Sequence, residues 1–219
     1  MSQAKINFFN VCRAGQTEKT RALLLDNMFA WHVYQNAARL CIEHNHVDTF
    51  HLIVSQPFVS THPEWSWESL CLSAMEYERD DFLEFCLAQA SEKQLAHLYR
   101  FSVVLNNLQG FYAIDKRVND GVRSTTANQL SPDTDRSIFL RLFPFSSTPI
   151  QDFQKKLFRD EWTLCVELVQ LRPELKNWLE EQVVGKTWSQ AVAQNMLNEV
   201  QRAEISARLP HAESKPRKM

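Results

Sequence analysis

One cysteine and three histidines lie close together in the stretch LCIEHNHVDTFHLIV, residues 40–54. Thiolate sulfur and imidazole nitrogen are zinc ligands, and Cys41 and His44 would share a helix face that His46 could complete. No fourth ligand is indicated, because His51 follows on the far side of a polar turn. We therefore predict no metal, and interpret the stretch as two helices that meet at the turn EHNH.

Nucleophilic catalysis would require an exposed thiol in an electropositive setting, with a histidine brought near by the fold. The cysteines instead lie inside apolar helical patterns and show no CxxC spacing; they are Cys12, Cys41, Cys71, Cys86 and Cys165. This setting is typical of buried, reduced thiols in a cytoplasmic protein. We predict no disulfide, no catalytic site and no cofactor.

Charge and hydropathy exclude two classes of partner. The 219 residues carry a formal net charge of −2, and residues 1–110 hold 8 Lys+Arg against 12 Asp+Glu. Such a balance lacks the electrostatic footprint of a nucleic-acid-binding protein. No apolar run approaches the roughly 18 residues of a membrane span. We predict a cytoplasmic protein that binds neither nucleic acid nor membrane.

The spacing of apolar residues predicts an all-α fold. Only four glycines occur, and Leu, Ala, Glu, Gln and Arg recur at intervals of three and four residues. The predicted helical stretches are 5–25, 36–55, 62–89, 92–108, 150–171 and 174–208. Residues 110–149 differ, because turn residues collect in RVNDGVRSTTANQLSPDTDR and SIFLRLFPF is typical of a short strand or an apolar loop. We expect an irregular insertion there.

Three segments align without gaps: VCRAGQTEKTRALLL (11–25), CIEHNHVDTFHLIVS (41–55) and SAMEYERDDFLEFCL (73–87). Each ends a first helix with two small or apolar residues, passes through a polar turn and starts a second amphipathic helix. The pattern resembles the ankyrin repeat, with Asn45-His46 in the place of its Gly-His turn and Gly15 keeping the glycine. Tyr77 stands where that family has glycine, so we expect the third turn to be built differently.

The resemblance, over about residues 5–90, implies a stack of helical hairpins that must be capped at its end. The hairpin fingers of the family lack their glycine-rich tips here, so we expect plain loops at 27–35 and 56–66, with Asn36 capping a helix. The predicted organisation is repeats at 1–109, the insertion at 110–149, a helical cap at 150–209 and a disordered tail at 210–219. The last helix should open at a capping box formed by Thr187 and Gln190.

Aromatic residues are concentrated at the joints between the aligned segments, where polar residues would be expected. In ankyrin-like arrays the inter-repeat loops and the first helices line the concave face that binds partners, and Trp and Tyr anchor interfaces. The predicted contact residues are Trp31, His32, Tyr34, Phe58, His62 and Trp65. A capping box of Thr61 and Glu64 would start a helix near His62, and would leave Trp65 more exposed than Trp67.

The sequence therefore predicts a module that binds another protein through the inter-repeat loops and the concave face, without catalysis. The alternative is an enzyme or enzyme regulator that acts through the 110–149 segment, because long loops in compact domains are often functional. The combination of divergent repeats with an unrelated C-terminal half is similar to that of bacterial effector proteins that act inside host cells.

Overall fold

The computed structural model describes residues 2–57, 59, 61–159, 161–185 and 190–208, and these residues form helices and their connections without any strand. The predicted all-α fold is confirmed. The chain divides into two compact units, residues 1–119 and 120–219. No helix among the described residues is long and apolar enough to cross a membrane.

The first unit is a succession of helical hairpins, each made of two antiparallel helices and a short turn. Its helices are α1 Gln3–Arg13, α2 Thr17–Asp26, α3 Trp31–Glu43, α4 Val47–Val54, α5 Trp67–Glu76, α6 Asp80–Gln89, α7 Glu92–Val104 and α8 Leu108–Asp115. The first helices α1, α3, α5 and α7 contact one another in that order. Their facing sides bury apolar residues at helical spacing, including Phe8, Cys12, Tyr34, Ala37, Cys41, Leu70, Ala74, Leu98 and Tyr99.

All of these hairpins share one turn. The middle residue of each turn has a left-handed backbone; the residues are Gly15 (φ 63°), Asn45 (φ 61°), Glu78 (φ 54°) and Asn106 (φ 52°). The next residue donates its backbone N–H to a carbonyl in the last turn of the first helix, as His46 does to Cys41 over 2.8 Å. This is the Schellman arrangement, which satisfies carbonyls that a helix end would otherwise leave without a partner.

The third turn corrects our alignment. Glu78, and not Tyr77, adopts the left-handed conformation, so the segment 73–87 was aligned one residue too early. Tyr77 is the residue that ends α5, at φ −98°, where a bulky side chain meets no steric obstacle. The expectation of a differently built third turn is therefore wrong. The turn at Asn106 was also missed, because we predicted a single helix over 92–108.

Side chains at these turns tie each hairpin to the one before it. The residue that follows the left-handed position donates to a carbonyl at the end of the preceding first helix. These bonds are His46 Nε2 to Arg13 O (2.9 Å), Arg79 Nε to Ile42 O (3.3 Å), Arg79 Nη2 to Glu43 O (3.3 Å) and Asn107 Nδ2 to Met75 O (3.2 Å). We call this series the turn ladder. It adds a side-chain donor from the next hairpin to carbonyls at the ends of α1, α3 and α5. Two of them, Ile42 O and Met75 O, also accept a backbone N–H within their own turns, from Asn45 and Glu78.

The joints between hairpins differ in detail from our expectations. No strand occurs in the described residues of either joint, as expected of plain loops. However, α3 already begins at Trp31, after Ala30, so the loop predicted at 27–35 is wrong from residue 31 onward. For the same reason Asn36 lies inside the helix and does not cap it. The helix α5 begins at Trp67, where the Ser66 side chain accepts the N–H of Ser69 over 3.1 Å. The capping box predicted upstream, at Thr61 and Glu64, is therefore wrong.

The second unit is also helical in its described part. Its elements are α9 Asp120–Ala127, α10 Arg136–Leu142, a 3₁₀ turn Phe143–Phe145, α11 Pro149–Leu157, α12 Trp162–Leu171, α13 Glu174–Val184 and α14 Gln190–Arg208. The segment 110–149 thus holds short helices, and the strand or loop expected in SIFLRLFPF is a helix capped by Asp135, whose carboxylate accepts the Ser137 N–H over 2.7 Å. The capping box predicted at Thr187 and the tail predicted at 210–219 lie outside the described residues.

A buried lysine organises the connection between α9 and α10. Lys156, on α11, is 2% exposed, and its ammonium donates to Pro132 O (2.8 Å) and Thr134 O (3.2 Å). It also pairs with Glu161 (3.2 Å) and lies 4.9 Å from the centroid of the Phe139 ring. A buried ammonium is stable only when its donors are satisfied, so this arrangement fixes the 130–135 connection onto α11.

Candidate partner-binding surface

Three of the predicted contact residues meet at the start of α3. The rings of Trp31 and His62 stack with centroids 5.5 Å apart, although one begins α3 and the other lies in the following joint. His32 packs edge-on against Trp31 at 5.9 Å. Trp31 and His62 are half-buried and His32 is exposed, so part of this aromatic cluster is accessible at the surface.

Tyr34 belongs to the core instead. It is 1% exposed, and its ring lies 6.0 Å from the centroids of both Phe8 and Phe29. Its hydroxyl accepts the backbone N–H of Phe29 over 3.4 Å. Burial, the larger effect, raises the pKa of Tyr34, and the bond from Phe29 lowers it. Because α3 begins earlier than predicted, Tyr34 points inward, and the prediction that it contacts a partner is corrected.

The two tryptophans of the next joint are exposed in the opposite order to our prediction. Trp65 is 7% exposed and packs edge-on against the half-buried Trp67, with centroids 5.6 Å apart. The helix starts at Trp67 and not near His62, which turns Trp65 inward. Its Nε1 is buried without a hydrogen-bond partner in the described part of the chain. Phe58 lies outside the described residues.

A groove between the first helices α1 and α3 was not predicted. It has a volume of about 280 Å³ and is lined by Phe9, Arg13, Asn36, Arg39, Leu40 and Glu43. We call it the α1–α3 groove. The i, i+4 spacing of Phe9 and Arg13 was available in the sequence, but the facing residues of α3 could be assigned only once the hairpins were in register.

The groove and the aromatic cluster lie along one exposed face of α3. His32, Asn36, Arg39 and Glu43 follow at steps of three and four residues, which places them on one side of the helix. All of them are exposed or half-buried. A stripe of surface therefore runs from the aromatic cluster at the start of α3 to the turn at its end; we call it the α3 stripe.

The histidines and cysteine of the opening stretch do not form one ligand set, although the rings of His44 and His46 stack with centroids 6.3 Å apart. Cys41 is buried in the helix interface, the exposed His44 is on the outside, and the ring of His46 is bonded to Arg13 O as part of the turn ladder. His51 packs edge-on against Phe85, at 4.7 Å. Among the described residues, no group of three or more His, Cys, Asp or Glu side chains could hold a metal ion.

The thiols are buried, as predicted for all five cysteines. A hydrogen bond with Cys12, together with burial, raises the pKa of Cys41, and a hydrogen bond with Cys71, together with burial, does the same for Cys86. Burial raises the pKa of Cys165 to about 12. Because the thiolate is the nucleophilic form, these three thiols are poorly suited to covalent catalysis near neutral pH.

Comparison with known proteins adds no family to this description. No protein-family model matches the chain, and neither the curated proteins nor the solved structures gave a match.

Proposed function

We propose that this chain is a protein-binding module without catalysis, and that its partner contacts the α3 stripe and the aromatic cluster at the start of it. The observation that carries the proposal is the stack of Trp31 on His62, 5.5 Å apart, beside the exposed His32. Trp is over-represented among the residues that dominate binding energy, because it buries a large area at a small cost in side-chain entropy.

The composition of the surface agrees with this role. The α3 stripe places an imidazole, an amide, a guanidinium and a carboxylate beside the half-buried Leu40. Interfaces between proteins that also exist apart have this mixed character, since each surface must be compatible with water before binding. A helix whose outer face served only solubility would not need aromatic rings at its start.

An ankyrin-like interpretation of the first unit is part of the proposal. It is supported by the shared turn of the hairpins, by Gly15 and Asn45 in the left-handed position, and by the turn ladder that begins with His46. In such arrays the first helices and inter-repeat loops form the partner face. Five buried free thiols favour a reducing, cytoplasmic compartment. Action inside a host cell, as in bacterial effectors of similar style, remains part of the same proposal.

Site-specific photo-crosslinking tests the proposal directly. A benzophenone amino acid replaces the exposed His32 in one variant and the exposed Ala22 of α2 in a control variant, and each is irradiated in cell lysate. We expect a discrete adduct from position 32 that position 22 does not give, and that Trp31→Ala in the same chain removes. Loss of a hot-spot tryptophan typically costs about 2 kcal/mol or more of binding energy. The same adducts from both positions, or none from position 32, would reject the proposed surface.

A further inference from the structure

The α1–α3 groove has the size of a side-chain subsite. Its volume of about 280 Å³ lies just below the roughly 300–1,000 Å³ of sites for small molecules and cofactors. Phe9 and Leu40, both half-buried, provide the apolar lining from α1 and α3. The groove therefore offers room for one or two side chains of a partner.

Unpaired cations surround this apolar lining. Arg13 and Arg39 are exposed, and within the described residues neither forms an ion pair or donates a side-chain hydrogen bond. The ammonium of Lys5 lies 5.8 Å from the centroid of the Phe9 ring, which adds a third positive charge at the edge. Among the described residues that line the groove, Glu43 is the one carboxylate. The local charge is positive, although residues 1–110 carry more acidic than basic residues.

Two guanidinium groups on facing helices are suited to an anionic ligand group. Guanidinium presents a planar fork of N–H donors that matches a carboxylate, and such charge-assisted bonds are about twice as strong as neutral ones. From this charge complementarity we infer that the α1–α3 groove binds an acidic side chain of a protein partner together with a neighbouring apolar side chain. The carboxylate takes the donors of Arg13 and Arg39, and the apolar side chain packs on Phe9 and Leu40. This inference rests on the proposed protein-binding function and specifies the partner's chemistry.

A peptide array provides the test, with the full chain, fluorescently labelled, as the probe. Three matched sets of peptides carry Leu, Ile or Phe beside Asp or Glu, beside Asn or Gln, or beside Lys or Arg. We expect the acidic set to bind, with affinities measured by fluorescence anisotropy at least about tenfold tighter than those of the matched neutral peptides. Binding should weaken as NaCl rises from about 50 to about 300 mM, because salt screens exposed charges.

Charge reversal separates a binding role from a structural one. Arg39→Glu should weaken binding of the acidic peptides at least about tenfold and should gain binding to the Lys and Arg set, since like charges at an interface repel. The control is Arg21→Glu on the exposed surface of α2, where the arginine pairs with Glu18 of its own helix. That variant should bind the acidic peptides as the unmodified chain does.

The inference is overturned if acidic peptides bind no better than neutral or basic ones, or if no peptide of any set binds. It is also overturned if Arg21→Glu weakens binding as much as Arg39→Glu. These results are distinguishable from failure of the proposed function, because crosslinking at position 32 does not depend on the charge of the ligand. If position 32 gives an adduct but acidic peptides bind no better than the others, the proposed protein-binding function stands and the acidic ligand is rejected.

Discussion

Replacing Gly15 by Ala should destabilise the first unit more than the loss of a glycine in an ordinary turn. Gly15 has φ 63°, and a Cβ built on it would lie 2.5 Å from Nδ1 of His46. At that distance the His46 ring must move, and this movement breaks the bond from its Nε2 to Arg13 O, which is 2.9 Å long. The substitution therefore combines backbone strain with the loss of the first bond of the turn ladder.

The magnitude follows from these two effects. A non-glycine residue in the left-handed region costs about 1–2 kcal/mol, and a lost hydrogen bond costs about 0.5–1.5 kcal/mol. Alanine also lowers the conformational entropy of the unfolded chain, which offsets about 0.4–1 kcal/mol of this loss of stability. We expect Gly15→Ala to lower the free energy of opening of α1–α4 by about 2 kcal/mol. In a His46→Ala background the steric effect disappears, and the same substitution should cost only about 0.5–1 kcal/mol.

Hydrogen exchange measured by mass spectrometry reports this free energy on peptides from α1–α4, and peptides from α9 report the control in the same experiment. Gly121→Ala serves as the control: Gly121 is an exposed residue of α9, where alanine should stabilise the helix by about 0.5–1 kcal/mol. The decisive quantity is the coupling between the two substitutions, expected at about 1 kcal/mol. If the costs of Gly15→Ala and His46→Ala add to within about 0.3 kcal/mol, the two positions are independent and our reasoning is refuted.

Three further outcomes are expected. Glu78→Gly should stabilise the first unit by about 0.5–1 kcal/mol in urea unfolding, because glycine removes left-handed strain, whereas glycine at the exposed helical Ala22 should cost about 1 kcal/mol; destabilisation by Glu78→Gly would contradict the third turn. Lys156→Met should cost about 3 kcal/mol by leaving buried carbonyls and Glu161 unpaired, against less than about 1 kcal/mol for Arg159→Met, which breaks a more exposed pair; equal losses would argue against the buried network. At pH 8, iodoacetamide should label Cys165 at the rate of unfolding. Because burial raises the pKa of Cys165 from 9 to about 12, its contribution to the free energy of unfolding is complete below pH 9 and is lost as the pH rises towards about 12. Fast labelling of the folded protein would show an accessible thiolate.

The helical class and the hairpin pattern could be predicted because both depend on local spacing. The resemblance to the ankyrin Gly-His turn places Gly15 and Asn45 correctly, and both are residue types that tolerate a left-handed backbone. Glu78 does not carry that signal, so the third alignment slipped by one residue. The hairpin at Asn106 was hidden because its turn follows an apolar run, SVVL, which reads as an uninterrupted helix.

The candidate surface was less predictable, because exposure depends on where each helix starts. Residue type identified the aromatic joints, but the start of α3 at Trp31 turned Tyr34 inward, and the start of α5 at Trp67 did the same for Trp65. The short helices of 110–149 depend on tertiary bonds such as those from Lys156, which leave no periodic pattern. The α1–α3 groove pairs residues about 30 positions apart, so it required the register of the hairpins.

The turn ladder has a consequence for how such a chain can change over evolutionary time. Its rungs are an imidazole, a guanidinium and an amide, from His46, Arg79 and Asn107, and each makes the same bond to a carbonyl. The fold requires a side chain at this position that is long enough to donate an N–H to the carbonyl, and several residue types can do so. Substitutions among these residue types would preserve the hairpin stack but would remove the residue identities that sequence comparison detects. A hairpin stack whose turns accept several kinds of N–H donor can therefore keep its structure while the sequences of its repeats diverge.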